Sequence, residues 1–188
     1  EITYGDWSSD VCSSDLSVGR LAPVKGFDRL LAALPAVFAA LPAAACVLVG
    51  DGPERAALEA QAARLGLGAR LRFAGFRRDT RSCYALFDLF IGPARSEGLP
   101  VALLEAMAAG CPVLVTDVGE QRAVIDNGAA GSLLPAGETA WSDAILNCLR
   151  EPGRAAARER AARARRRVAE CYSLAQTLAA YDDLYVSR

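Results

Sequence analysis

Arg20 and Lys25 lie in Val18-Gly19-Arg20-Leu21-Ala22-Pro23-Val24-Lys25-Gly26, between a short apolar run and a helical pattern. Ligands of open α/β sheets bind beyond the carboxyl ends of the strands. Two cations beside a helix N-terminus at such a place make an anion site. Alone, the stretch reads more simply as a surface loop with two bases. Glu97 and Glu105 lie in Arg95-Ser96-Glu97-Gly98-Leu99-Pro100-Val101-Ala102-Leu103-Leu104-Glu105. Glu97 falls just ahead of a helix that opens near Pro100, and Glu105 falls inside it. Free N–H groups of the first turn, around Leu99 and Val101, would face a ligand at the sheet edge and suit a diphosphate. A carboxylate on the same helix can grip vicinal hydroxyls with both oxygens. Alone, these are equally a helix-start acid and an acid on an exposed face. The turn Gly50-Asp51-Gly52 is part of a nucleotide-loop pattern but not a full G-x-G-x-x-G, and a tight turn explains it as well.

Absences narrow the chemistry. The chain of 188 residues has no His. Ser-His-Asp and Cys-His activation of a nucleophile are therefore excluded within it. Five cysteines, Cys46, Cys83, Cys111, Cys148 and Cys171, are scattered with no C-x-x-C spacing and read as buried free thiols in a reducing compartment. No metal site is expected.

The elements that would hold these residues alternate. Strands are expected at 17–21, 45–50, 70–75, 89–93, 112–116 and 131–135, apolar throughout as in a parallel sheet buried on both faces. Helices are expected at 27–41, 53–67, 80–87 and 100–110. That order predicts an α/β fold, a Rossmann-like doubly wound parallel sheet with a helical C-terminal extension. Pro35 inside the first helix predicts a kink or two shorter helices. Helices at 139–148, 154–170 and 173–186 follow with no strand between them, and Ser173 is placed to cap the last. The basic run Arg163, Arg165, Arg166 and Arg167 reads as a solvated helix face, with contact to anionic lipid or a partner domain as the alternative.

Residues 5–16, Gly-Asp-Trp-Ser-Ser-Asp-Val-Cys-Ser-Ser-Asp-Leu, are acidic and Ser-rich in a chain otherwise rich in Ala, Leu and Arg. Read back into codons, they fit a common short-read sequencing adapter. Residues 1–16 are therefore set apart as an unrelated N-terminal segment, and 17–188 are read as one domain. Without the four acids of that segment, 18 acids face 21 bases and the formal charge moves from −1 to +3. That is too little to imply a nucleic-acid partner.

In combination the motifs are more specific. Gly19-Arg20-Leu21 with Lys25-Gly26, then Gly50-Asp51-Gly52-Pro53, then Glu97-Gly98-Leu99-Pro100 leading to Leu103-Leu104-Glu105-Ala106-Met107-Ala108-Ala109-Gly110 and Pro112-Val113, closely resemble the retaining glycosyltransferases of the two-domain GT-B fold, family 4. The resemblance covers essentially 17–188 and corresponds to the C-terminal, nucleotide-sugar-binding domain. It implies that Arg20 and Lys25 bind the donor diphosphate and stabilise its charge as the glycosidic bond breaks. It implies that Glu97 contacts the transferred sugar and Glu105 the ribose. Backbone at Gly19, Gly98, Leu99 and Val101 would hold sugar or phosphates, with the base near Gly50 and Gly75. No metal or cofactor is implied beyond the nucleotide-diphosphate sugar itself.

The resemblance also implies a missing N-terminal acceptor domain, an unknown acceptor and an inactive fragment. A cytoplasmic location is expected, extending through the Arg-rich helices to peripheral contact at the inner face of the membrane. One loop departs from the family: its G-G-x-P-E is Gly119-Glu120-Gln121-Arg122-Ala123 here. The alternatives are a non-catalytic nucleotide-binding module, disfavoured by the paired glutamates, and a GT-B epimerase or phosphorylase.

Overall fold

The computed structural model describes residues 13–186. Its strands are β1 (Ser13–Val18), β2 (Ala44–Val49), β3 (Leu71–Gly75), β4 (Leu89–Gly92), β5 (Val113–Val115) and β6 (Ser132–Leu133). They form one sheet in the order β3-β2-β1-β4-β5-β6, every pair parallel. The helices are α1 (Phe27–Ala40), α2 (Arg55–Arg64), α3 (Arg81–Tyr84), α4 (Val101–Ala109), α5 (Gln121–Val124), α6 (Trp141–Leu149), α7 (Gly153–Cys171) and α8 (Leu174–Val186).

Strand periodicity builds the layers. Cys46 and Leu48 of β2 enter one apolar cluster with Leu30, Leu34 and Phe38 of α1 and Trp141 and Ile145 of α6. The alternate residues Val47 and Val49 enter the other, with Tyr84 of α3 and Leu103 and Met107 of α4. Both faces of the sheet are thus covered, which is why its strands read as continuous apolar runs. Strand order reverses between β1 and β4, and the crevice of a doubly wound sheet opens at that point, beyond the carboxyl ends. The sequence-predicted fold class is the one observed.

Details depart from expectation. Residues 1–12 of the segment set apart lie outside the described residues. The first strand, expected at 17–21, is found at Ser13–Val18, in register with all of Ala44–Val49 of β2. The chain turns after Val18, so Arg20 and Leu21 stand past the strand. Pro35 does not divide its helix, and α1 runs unbroken for 14 residues. Leu30, Leu31, Leu34, Val37 and Phe38 bury one face of it, and their combined burial outweighs a proline penalty of about 3 kcal/mol. Cys46, Cys111 and Cys148 are buried free thiols, but Cys83 is half-buried and Cys171 exposed. Burial pushes the Cys111 thiol up to about 12.

The basic run is less idle than a solvated face. Arg163 Nε donates to the Ala129 carbonyl at 2.7 Å, and Arg167 donates to the carbonyls of Val124 and Ala123 at 2.9 Å each. Arg167 thus satisfies carbonyls left open at the end of the short α5 and Arg163 one in the turn that follows, while Arg165 and Arg166 stay exposed. Ser173 caps α8, its Oγ accepting from the Gln176 N–H at 3.3 Å. No described helix is long and apolar enough to cross a membrane.

One buried group opposes the fold. Asp15, central in β1 between Cys46 of β2 and Leu89 of β4, is fully buried and neither carboxylate oxygen has a hydrogen-bond partner. Burial first, and then Asp88, push its pKa up to about 8. The other ionisable groups that sense it are the Cys46, Cys111 and Cys148 thiols. The folded carboxyl holds its proton where the unfolded one has lost it. Its contribution is fully present below the unfolded value of 3.8 and is lost as pH rises through about 8. Stability should therefore fall as pH rises across that window. Urea titrations from pH 4 to pH 9 should show this fall in the natural chain. In Asp15→Val they should show a much flatter profile and a higher midpoint, and an equal slope in both would contradict the assignment.

Candidate functional site

The crevice is built by two loops, one after β1 and one after β4. The first turns through Pro23-Val24-Lys25 and enters α1 at Phe27. The second runs from Gly92 to Pro100 and enters α4. The Arg95 N–H donates to the Val24 carbonyl at 2.8 Å, tying one loop to the other. The Arg95 guanidinium does so again. It reaches both carboxylate oxygens of Asp28 at 2.6 Å and the Pro23 carbonyl at 3.0 Å. Hydrogen bonding from Arg95 holds the Asp28 carboxyl below its ordinary value.

At the meeting point Lys25 Nζ donates to Glu97 Oε2 at 2.5 Å. Their side chains are 29% and 18% exposed, so the pair is partly shielded yet reachable. A hollow of about 40 Å³ beside it is lined by Ser17, Phe27, Phe90 and Val101. Close approach of backbone makes the meeting possible. A Cβ at Gly26, where φ is +67°, would stand 2.2 Å from the Pro93 carbonyl oxygen. A Cβ at Gly119, where φ is +54°, would stand 1.7 Å from the carbonyl oxygen of Glu97 itself. Glu97 is therefore pressed from one side by the β1 loop and from the other by the loop after β5.

That third loop is the one whose motif departs. Gly119 keeps the glycine that the contact requires. Gln121 is buried and donates to Thr116 Oγ1 at 3.2 Å, and Thr116 Oγ1 donates to the Ala94 carbonyl at 2.7 Å. A buried, satisfied polar chain thus fixes the β4 loop from below.

The remaining predicted residues ring the same edge. Gly19 ends β1, its N–H on the Val49 carbonyl at 3.0 Å; Gly50 ends β2, its N–H on the Gly75 carbonyl at 2.8 Å. Arg20 is exposed, and among the described residues its side chain makes no hydrogen bond or ion pair. It is a cation that the described residues leave without a partner, whereas Lys25 is neutralised by Glu97. Gly98 faces open space, and Leu99 and Val101 are exposed at the start of α4. The first N–H groups of that helix have no intrahelical acceptor, so donors and a cation converge on one solvent-open edge.

Glu105 is not in contact with Glu97. Its Oε2 accepts from the Tyr84 hydroxyl at 3.0 Å and from Thr80 Oγ1 at 3.3 Å. Sequence reasoning missed these partners, and missed Arg95 with Asp28. Nothing local marks Tyr84 as anything but core, and the Arg95–Asp28 pair spans 67 positions.

Comparison with known proteins gives the family and the fold. The sequence profile of the family described as "Glycosyl transferases group 1" matches residues 15–167. The chain is 36% identical over 139 residues to a GDP-mannose-dependent alpha-mannosyltransferase of Mycobacterium tuberculosis, the match covering 73% of this chain and 34% of that protein. It spans about a third of the length of the curated relatives it matches. The C-terminal domain of a group 1 glycosyl transferase, LpcC, from Francisella tularensis has the same fold. Its TM-score is 0.73 at 23% identity, over 86% of this chain and 87% of that one. Anabaena HepE, solved with UDP and glucose, superposes with TM-score 0.75 at 29% identity, over 89% of this chain and 48% of that one.

Gly119→Ala should lower unfolding stability by about 2 kcal/mol or more, since both the clash and the positive φ oppose it. Gly98→Ala, where nothing lies within 4 Å of the added carbon, should stay within about 0.5 kcal/mol. Urea denaturation of both variants distinguishes them, and equal stability would show that the Glu97 loop does not need the contact.

Proposed function

The chain belongs to the group 1 glycosyl transferases, and from that premise we propose that its crevice binds a nucleotide-diphosphate sugar and presents it for transfer with retention of configuration. The observation that carries the reading is the convergence of Lys25, Glu97 and the open N-terminus of α4 at the point where strand order reverses. A diphosphate needs cations and N–H donors; a sugar needs a carboxylate beside them. Glu97 occupies Lys25. A bound diphosphate would compete for that ammonium and release the carboxylate toward sugar hydroxyls.

In this reading Arg20 and Lys25 neutralise the diphosphate as it leaves. Backbone N–H groups around Gly98, Leu99 and Val101 hold phosphate or sugar. Glu105 takes the ribose, and Gly50 and Gly75 line the base end. Glu97 orients the sugar and is not cast as a nucleophile. Attack comes from the face the nucleotide leaves, and the departing phosphate takes the acceptor's proton. The paired-carboxylate geometry of glycoside hydrolysis is not required.

The acceptor site belongs, in this proposal, to a second α/β domain that the present chain does not supply. Two features support it. The chain spans about a third of its relatives, and α8 exposes Leu174, Leu178, Tyr181 and Tyr185 along one helix, an apolar stripe suited to packing on another domain. The buried, unpartnered Asp15 supports the reading of residues 5–16 as foreign to the original protein, since a sheet centre calls for an apolar side chain.

The test is thermal stabilisation of the full chain by UDP, GDP and ADP. At least one should raise the melting temperature in a concentration-dependent way, and Arg20→Ala should weaken that shift. An undiminished shift would remove Arg20 from the phosphate site. The chain alone should show no sugar transfer, and measurable turnover would overturn the two-domain requirement.

A further inference from the structure

We propose that Tyr84 is a positioning residue of this site: its hydroxyl fixes the Glu105 carboxylate so that the free oxygen is presented to the ribose of the bound nucleotide. The proposal rests on the donor-site reading and deepens it.

Glu105 is exposed on α4, and a free glutamate there samples several rotamers. Ordering such a side chain on binding costs rotamer entropy. The structure has ordered it already. Oε2 accepts from both Tyr84 and Thr80, while Oε1 accepts from no described donor. One oxygen is anchored to protein and the other left for a ligand.

Tyr84 suits the task because it is held from below. It is fully buried in a four-residue helix, and its ring meets Phe90 of β4 edge-on, centroids 5.9 Å apart at 63°. The anchor therefore stands on the sheet, not on a mobile surface chain. A buried hydroxyl needs an acceptor, and Glu105 is its hydrogen-bond partner. Burial, and then the Glu105 carboxylate, push the phenol above its ordinary value, so it remains a donor throughout the neutral range. A core-only role would be served as well by Phe; the hydroxyl is explained by the carboxylate it holds.

The experiment measures Kd for UDP, GDP and ADP with the full chain, then for the 2′-deoxy form of the tightest. Wild type should prefer the ribonucleotide. Tyr84→Phe should reduce that preference about three- to tenfold, the worth of one hydrogen bond to a charged group shared between two states, with its melting temperature recorded alongside. Glu105→Ala should also reduce it, and adding Tyr84→Phe to that variant should change it no further. Should Tyr84→Phe fail to fold, Thr80→Ala carries the test from a more accessible position, with a loss of about twofold expected.

A Tyr84→Phe chain that keeps the full ribose preference, or that weakens ribo and deoxy forms equally, overturns the proposal, as does an additive double variant. If wild type binds no nucleoside diphosphate, the donor-site reading itself falls and takes this inference with it. If it binds one but Glu105→Ala leaves the ribose preference intact, the donor site stands and the Tyr84 role is refuted.

Discussion

The Lys25–Glu97 ion pair depends on contact between backbones. A side chain of five carbons or fewer cannot search far for a partner, so the two loops must be brought within a few ångströms of each other. Gly26 against the Pro93 carbonyl and Gly119 against the Glu97 carbonyl allow that approach. Arg95 on Asp28 and on the Pro23 carbonyl holds it. The sheet sets where this can happen. At the reversal between β1 and β4 the helices that follow go to opposite faces, α1 into one apolar cluster and α4 into the other, leaving a gap at the carboxyl edge.

Charge is arranged unevenly in that gap. Lys25 is matched by Glu97, Arg95 by Asp28 and Arg122 by Asp117. Arg20 is the cation at the crevice that the described residues leave unmatched. A matched pair contributes little net field and exchanges partners when a stronger anion arrives. An unmatched cation is a standing attraction for one. In the proposed reading the site combines a fixed lure with a switchable pair.

Much of this was legible in the chain. Apolar runs of strand length between amphipathic stretches are enough for a doubly wound sheet, and the crevice follows from that topology. The charged motifs fall in loops at the carboxyl ends of the strands, which the topology brings together. What was not legible was pairwise and distant. Tyr84 looks like any core aromatic until a fold sets it under Glu105. Arg95 has no local signal for Asp28, and Gln121, at the variable position of the family's loop motif, carries no signal until it is seen bonded to Thr116. The first strand was misplaced because its amino-terminal half is polar, and only pairing with β2 reveals that Ser13–Leu16 lie in the sheet. Pro35 misled in the opposite sense: a local rule gave way to the apolar face on which the helix is packed.

The account's central claim is that the nucleotide's diphosphate takes Lys25 from Glu97. A crystal structure of the full chain with the nucleoside diphosphate that stabilises it most tests this directly. The account predicts phosphate oxygens within hydrogen-bond distance of Lys25 Nζ, with the Glu97 contact opened and the ribose against Glu105. A nucleotide bound away from the β1 and β4 loops, or a Lys25–Glu97 pair intact beneath it, would contradict the claim.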